Sequence, residues 1–229
     1  MSESPAVVVF DLDDTLFPEH DYALSGLRYV GRYLEQAHGL SGAAERLVRA
    51  LESGARGRIF NAVLAEYGLA PARISALIPG LVERYRAHPP DIRLYPEAPA
   101  VLAALRGRFP LALITDGPAI CQRAKLAALA LDLDQVIVTD ELGRAFWKPH
   151  PLPYQRVEER FGVPGAGCCY IGDNPTKDFV TARARGWRTA RVDRGDRLNP
   201  SAAPSDDHEA RWVVGNLTEA LTALGLDCR

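Results

Sequence analysis

The sequence predicts an α/β fold in which a doubly wound parallel sheet carries an all-α domain inserted after its first strand. From residue 95 onward, helical segments alternate with short apolar, β-branched runs, which is typical of right-handed βαβ units. Between residues 18 and 91, apolar residues recur at helical spacing and no strand is indicated. The predicted domains are a core formed by residues 1–17 and 92–229 and a helical domain formed by residues 18–91.

Local patterns predict the individual elements. We expect Asp21 to cap the first inserted helix and Gly39 to end it. The apolar stripe of this helix is Leu27, Val30, Leu34 and Ala37. Further helices are expected at residues 41–52, 59–67, 71–87, 98–108, 119–130, 151–161 and 179–185. Strands are expected from residue 7 and at residues 111–115, 135–139, 168–172, 188–192 and 212–214, with an exposed loop at residues 193–209.

The overall charge excludes several classes of partner. The chain of 229 residues has 27 Lys and Arg against 29 Asp and Glu, a formal net charge of -2. This near balance gives no electrostatic reason to expect nucleic acid or an anionic membrane as a partner. We therefore expect a small-molecule ligand. The protein is also expected to be a monomer or homodimer.

The cysteines and the N-terminus indicate a cytoplasmic protein. Cys121, Cys168, Cys169 and Cys228 show no CxxC spacing, and a disulfide framework or zinc site is not expected from them. The N-terminal residues lack the basic flank of a signal peptide, and Asp11 interrupts the apolar run that follows.

Three carboxylates follow the first predicted strand. Asp11, Asp13 and Asp14 come directly after the apolar run at residues 7–10. If the extended geometry continues, Asp11 and Asp13 face one small volume, and their repulsion calls for a divalent cation or a proton. Hard carboxylate ligands favour Mg²⁺ over zinc.

Polar residues also follow two other predicted strands, at residues 115–117 and 173–178. The carboxyl ends of neighbouring parallel strands meet in one crevice of a doubly wound sheet. The three groups are therefore predicted to form one site.

Four segments together resemble the haloacid dehalogenase (HAD) superfamily. Residues 10–16, with the sequence FDLDDTL, are similar to its opening DxDxT motif, and residues 111–117, Lys148-Pro149 and residues 171–178 follow in the order of its later motifs. The resemblance implies a Rossmann-like core with a type 1 helical cap. It also implies a Mg²⁺-dependent phosphatase.

The resemblance assigns roles to the acidic residues. Asp11 would be the nucleophile that forms an aspartyl phosphate, and Asp13 the acid that protonates the leaving alcohol and then activates water. Metal ligands would be the carboxylates of Asp11 and Asp173 and the backbone carbonyl of Asp13, with Thr15 and Asp178 supporting the site.

The remaining motif residues would bind the phosphate. Thr115 and the amides of Asp116 and Gly117 can donate hydrogen bonds to its oxygens. Many relatives have Asn at the position of Asp116, so its carboxylate is expected to point away from the phosphate. Lys148 would place a positive charge against the nucleophile and the phosphate.

Several alternatives remain open. The same resemblance admits a phosphomutase or a 2-haloacid dehalogenase, although the latter needs neither the metal nor Asp13. A non-catalytic phospho-accepting receiver also gathers carboxylates on a parallel sheet, but the long helical insertion does not suit that compact fold. The phosphorylated metabolite is not predicted; candidate cap contacts are His20, Tyr22, Arg28, Arg32, Arg56 and Arg58.

Overall fold

The computed structural model describes residues 5–195, 198 and 201–226. The chain divides into two compact units, one formed by Met1–Glu19 with Arg93–Arg229 and one formed by His20–Ile92. The α-helices are α1 (Glu19–His38), α2 (Ala43–Glu52), α3 (Ile59–Glu66), α4 (Pro71–Ala87), α5 (Ala98–Leu105), α6 (Ala119–Leu129), α7 (Leu152–Phe161), α8 (Val180–Ala184) and α9 (Leu217–Leu224).

A parallel sheet organises the first unit, which confirms the predicted α/β fold. Its strands are β1 (Val7–Phe10), β2 (Leu111–Thr115), β3 (Gln135–Val138), β4 (Cys168–Gly172), β5 (Arg188–Val192) and β6 (Trp212–Val214). Their spatial order is β3-β2-β1-β4-β5-β6. Strands β2 and β3 lie on one side of β1, and the chain then returns to place β4 on the other side. This reversal opens a crevice at the carboxyl ends of β1 and β4, where doubly wound sheets bind ligands.

Apolar burial holds β1 at the centre of the sheet. All four of its residues are fully buried, because the strand has neighbours on both sides and packed side chains on both faces. Val7 and Val9 belong to a core that includes the large rings of Tyr154, Tyr170 and Trp187. Tyr154 lies on α7, and its hydroxyl donates to the backbone oxygen of Asp178 at 3.0 Å, which ties this core to the segment after β4.

The second unit is helical, and α2 packs on α3, which in turn packs on α4. The predicted stripe of α1 is buried at Leu27, Val30 and Leu34, but Ala37 is exposed, because the helix reaches its last turn there. Gly31 is required where α1 meets α2, since a Cβ at this position would lie 2.2 Å from the Cα of Ala44.

The start of α1 differs from the prediction. The helix begins at Glu19, so Asp21 lies inside its first turn and is not the cap. The carboxylate of Asp14 accepts the Glu19 backbone N–H instead, at 2.8 Å. Asp14 adopts a left-handed backbone with φ 52°, a conformation that Asp tolerates better than most residues and that turns its side chain back to the helix.

Two other helices differ from the prediction. Helix α5 ends at Leu105, before Gly107 with φ 81°, and not at Arg108. Helix α9 was not predicted; the Asn216 side chain caps it by accepting the Glu219 N–H at 2.9 Å. Within the predicted loop at residues 193–209, residues 196, 197, 199 and 200 lie outside the described part of the chain, and a short 3-10 turn occupies Asp206–His208.

Among the described helices, none combines the length and the apolar character needed to cross a lipid bilayer. Cys168 and Cys169 are buried free thiols, and Cys121 is also buried. Burial raises the pKa of both Cys168 and Cys169 to about 12, which makes these thiols unreactive. Cys228 lies outside the described residues.

Candidate active site

The predicted polar groups follow β1, β2 and β4, which are adjacent in the sheet. Phe10 pairs with Leu113 on one side and with Ile171 on the other, so the residues after these strands emerge side by side. The backbone N–H of Asp11 continues the β1–β4 ladder by donating to Ile171 O at 2.9 Å. This register brings residues about 160 positions apart in sequence to one edge of the sheet.

Asp11 is a buried carboxylate that is 2% exposed. Its Oδ1 accepts a hydrogen bond from Lys148 Nζ at 2.7 Å. Burial alone would raise the pKa of Asp11, but the positive charges of Lys148 and Lys177 outweigh it and hold the pKa below its usual range. Asp11 is therefore ionised at neutral pH, which its predicted role as nucleophile requires.

Lys148 is the positive centre of the site. Its Nζ donates to Asp11, to Asp178 Oδ1 at 2.8 Å and to the Tyr170 hydroxyl at 3.0 Å. Burial would lower the pKa of Lys148, but the carboxylates of Asp11 and Asp178 raise it well above its usual value. The ammonium is thus charged, fully buried and held by several partners, which is the condition for a buried charge to be tolerated.

Three carboxylates gather beside this lysine. Oxygens of Asp11, Asp173 and Asp178 lie within 4.8 Å of one another. Burial, followed by repulsion from Asp178 and Asp11, raises the pKa of Asp173 well above its usual value. Burial also raises the pKa of Asp178 despite its bond to Lys148. The raised pKa values of Asp173 and Asp178 show that the nearby lysines do not fully compensate these three buried carboxylates, so this oxygen-rich cluster fits a hard divalent cation.

Asp178 is held by hydrogen bonds at both of its carboxylate oxygens. Its Oδ1 accepts from Lys148, and its Oδ2 accepts from the Asn174 backbone N–H at 2.9 Å. Gly172 permits this arrangement, because a Cβ there would lie 2.6 Å from Asp178 Oδ2. With both oxygens engaged, Asp178 is suited to orient the cluster.

Asp13 contacts two residues that the sequence analysis missed. Its Oδ1 accepts from Lys125 Nζ at 2.6 Å, and its Oδ2 accepts from Gln122 Nε2 at 2.9 Å. Both donors lie on α6, the helix that follows β2. Their spacing of three residues would place them on one face of a predicted helix, but the sequence does not indicate which helix face meets the site.

Side-chain hydrogen bonds hold the polar residues 115–117 at the end of β2. The Thr115 hydroxyl accepts from Gln122 Nε2 at 2.5 Å. Asp116 Oδ1 accepts from the Thr139 hydroxyl at 2.6 Å and from the Lys148 backbone N–H at 3.1 Å. The carboxylate of Asp116 is thereby used to connect three loops, while Gly117 adopts φ 133°, which favours glycine.

Thr15 and two further charged residues complete the surroundings. Thr15 is fully buried, and none of the described residues hydrogen bonds with its hydroxyl. Lys177, also missed by the sequence analysis, lies 3.5 Å from Asp116 Oδ2. Burial and the neighbouring Asp13 raise the pKa of Glu19 to about 7. The site thus contains a second lysine and a carboxyl group that titrates near neutrality.

The candidate cap contacts belong to the second unit. Arg28, Arg32 and Arg58 are exposed, and Tyr22 is buried. Arg56 is also exposed, and its guanidinium donates to Leu51 O at 3.1 Å. His20 is half-buried.

A parallel sheet with buried carboxylates and a lysine at its crevice is typical of α/β enzymes. Residues 5–186 match the family described as haloacid dehalogenase-like hydrolase. The chain belongs to this family and is a hydrolase.

Two curated relatives are phosphatases by name. The chain is 39% identical over 175 residues to a phosphoserine phosphatase from Thermus thermophilus, covering 75% of this chain and 66%, just under two thirds, of that protein. It is 30% identical over 217 residues to a phosphoglycolate phosphatase from Xylella fastidiosa, covering 94% of this chain and 89% of that protein.

Solved structures show the same fold. A HAD hydrolase from Bacillus subtilis, YfnB, described as bound to magnesium, superposes with a TM-score of 0.66 at 20% identity, covering 97% of this chain and 99% of that one. A 2-haloacid dehalogenase from Pseudomonas syringae pv. Tomato superposes with a TM-score of 0.65 at 23% identity, covering 96% and 98%. At these identities the likeness concerns the fold alone.

Proposed function

We propose that this hydrolase is a Mg²⁺-dependent phosphatase that cleaves a small phosphomonoester through an aspartyl phosphate on Asp11. The observation that carries the proposal is the buried contact between ionised Asp11 and Lys148, 2.7 Å apart, beside further carboxylates. The phosphatase names of both curated relatives support the same reaction.

In the first half-reaction, Asp11 attacks phosphorus and the bond from phosphorus to the leaving oxygen breaks. The lowered pKa of Asp11 keeps this carboxylate ionised, and its bond to Lys148 fixes its orientation. Asp13 gives its proton to the departing oxygen, so that the leaving group departs as an alcohol. The phosphoryl group is then an acyl phosphate on Asp11.

In the second half-reaction, Asp13 accepts a proton from water as the water oxygen attacks the aspartyl phosphate. The bond between phosphorus and Asp11 breaks, and inorganic phosphate and the free carboxylate are released. Asp13 is suited to this exchange because its side chain is 19% exposed. A substrate oxygen and a water can therefore reach it.

The carboxylates of Asp11 and Asp173 and the backbone carbonyl of Asp13 would hold Mg²⁺. Mg²⁺ prefers oxygen ligands and, when bound, reduces the repulsion between an anionic nucleophile and an anionic phosphate. Asp178 would support these ligands, as its bonds to Lys148 and the Asn174 amide suggest. Thr15, which is buried and closely follows Asp13 in sequence, is proposed to support the loop after β1.

Thr115, the amides of Asp116 and Gly117, and Lys148 would bind the phosphate oxygens. The Asp116 carboxylate is engaged by Thr139 and the Lys148 N–H, so its charge is offset by donors that it already has. This arrangement supports a role for Asp116 through its backbone and not through its side chain.

We propose that the helical unit His20–Ile92 is the cap domain that selects the substrate. Its insertion between β1 and β2 in sequence and its compact helical packing support this assignment. We also propose a cytoplasmic protein that acts as a monomer or homodimer. The buried free thiols of Cys168 and Cys169 support a reducing compartment.

A panel of phosphorylated metabolites, assayed for phosphate release with Mg²⁺ present, tests the proposal. The panel includes phosphoserine, phosphoglycolate, sugar phosphates and nucleoside monophosphates, and product analysis separates hydrolysis from phosphoryl transfer to a second hydroxyl. We expect free phosphate from at least one of them. A protein that releases chloride from 2-chloropropionate and no phosphate from any ester would be a dehalogenase.

A further inference from the structure

We propose that Gln122 and Lys125 are positioning residues that hold the Asp13 carboxyl group in line with the leaving oxygen. This inference rests on the proposed function, since it assigns residues that act through the acid of that reaction. Neither residue belongs to the motifs that the sequence analysis used.

The two donors restrain both oxygens of one carboxylate. Lys125 Nζ lies 2.6 Å from Asp13 Oδ1, and Gln122 Nε2 lies 2.9 Å from Asp13 Oδ2. A carboxylate held at both oxygens can no longer rotate about its terminal torsion, which is otherwise broad. The direction of proton transfer is therefore set by α6 and not by Asp13 alone.

Gln122 also connects Asp13 to the proposed phosphate site. Its Nε2 donates to the Thr115 hydroxyl at 2.5 Å in addition to Asp13, which uses both hydrogens of the amide group. One side chain thus fixes the distance between the acid and a group proposed to bind the phosphate. Gly117 leaves space for it, because a Cβ there would lie 3.1 Å from the Gln122 amide.

Burial argues against an incidental surface pair. Gln122 is 1% exposed and Lys125 is 4% exposed. Burying long polar side chains costs free energy that hydrogen bonds and ion pairs only partly return, and replacing such pairs by apolar residues is often neutral or stabilising. Fold stability therefore gives a weak reason for placing this pair against Asp13, whereas orienting an acid gives a direct one.

The test compares leaving groups within each variant. Positioning of the acid matters most when the leaving oxygen needs a proton, so kcat/KM is measured with p-nitrophenyl, phenyl and benzyl phosphate for the unsubstituted protein and for Gln122→Met, Lys125→Met and Asp13→Asn. A ratio of rates within one variant does not depend on how much of that variant is folded.

We expect the ratio of kcat/KM for p-nitrophenyl phosphate to that for benzyl phosphate to rise about tenfold or more in Gln122→Met and Lys125→Met, in the same direction as in Asp13→Asn. Lys125→Arg, which keeps a charged donor, should recover part of the benzyl phosphate rate. The matched control is Arg123→Met, on the same helix but paired at the surface with Glu141, which should leave the ratio unchanged.

Equal losses on all three esters in both α6 variants would overturn the inference while leaving the phosphatase assignment intact. If the unsubstituted protein hydrolyses neither the three esters nor any of the metabolites with Mg²⁺ present, the proposed function fails and this inference fails with it.

Discussion

Lys148 Nζ lies 2.7 Å from Asp11 Oδ1, and the side chains of both residues are almost completely buried. The pair joins the end of β1 to a residue 137 positions later in the chain. Because the lysine also contacts Asp178, one ammonium group neutralises charge contributed by two different strand ends. The charge balance of the whole site therefore depends on this contact.

Replacing Asp11 by Asn should abolish phosphate release while the fold is retained. The amide is nearly isosteric but is not a nucleophile, so we expect kcat to fall by at least about 10³-fold. Phosphate release and far-UV circular dichroism measure the two effects. Asp132→Asn, at a carboxylate that is 86% exposed, is the control and should keep full activity. Turnover by Asp11→Asn close to that of the control would reject Asp11 as the nucleophile.

Replacing Lys148 by Met should destabilise the protein. Asp11 and Asp178 would lose their buried cation, and breaking a buried pair typically costs about 3–5 kcal/mol. Urea unfolding at neutral pH in chelator measures the loss. Arg123→Met removes the exposed Arg123–Glu141 pair and should cost no more than about 1 kcal/mol. Equal stabilities for the two variants would mean that Lys148 does not compensate these carboxylates.

The Glu19 carboxyl predicts a pH-dependent stability difference. Its pKa is raised from 4.5 to about 7 in the folded protein, first by burial and then by Asp13. The folded state thus binds this proton more tightly, and stability falls as pH rises from about 4.5 through 7. Glu19→Gln should therefore be more stable than the unsubstituted protein above this pH window. At about 1.4 kcal/mol per pKa unit, the difference in the free energy of unfolding is of the order of 3 kcal/mol. Below the window, the variant should show no such advantage. Unfolding curves at several pH values measure this difference. A constant difference across the range would contradict the assignment.

Mg²⁺ should stabilise the protein as well as activate it. A ligand that binds only the folded state raises the melting temperature as its concentration increases. We expect this rise for the unsubstituted protein and a much smaller one for Asp173→Asn, since the cluster loses a carboxylate. Chelation should also stop hydrolysis of p-nitrophenyl phosphate. An activity and a melting temperature that are both indifferent to Mg²⁺ would contradict the metal assignment.

The sequence predicted the strands better than the contacts between elements. Residues 111–115, 168–172 and 188–192 have their predicted bounds. The first two are fully buried, largely apolar runs, which is the pattern of a central parallel strand. Convergence of the strand ends was also predictable from parallel topology. In contrast, the contacts of Gln122 and Lys125 with Asp13 depend on the rotation of α6 about its axis, which its weakly amphipathic sequence does not specify.

Helix caps were the other limit of prediction. Asp21 stands close to the start of α1 and is a common capping residue, but Asp14, five positions before Glu19, provides the contact. Asp14 can do so because its left-handed backbone turns the chain, and such a conformation is not indicated by residue type alone.

Mass spectrometry of the Asp13→Asn variant, quenched in acid during turnover of p-nitrophenyl phosphate with Mg²⁺, tests most directly whether Asp11 carries the phosphoryl group. The p-nitrophenolate group leaves without an acid, whereas hydrolysis of the acyl phosphate needs Asp13. We therefore expect a phosphoryl adduct that maps to Asp11 on fragmentation and is absent when chelator is added. An adduct on another residue, or steady phosphate release by the unsubstituted protein with no adduct at Asp11 in the variant, would contradict it.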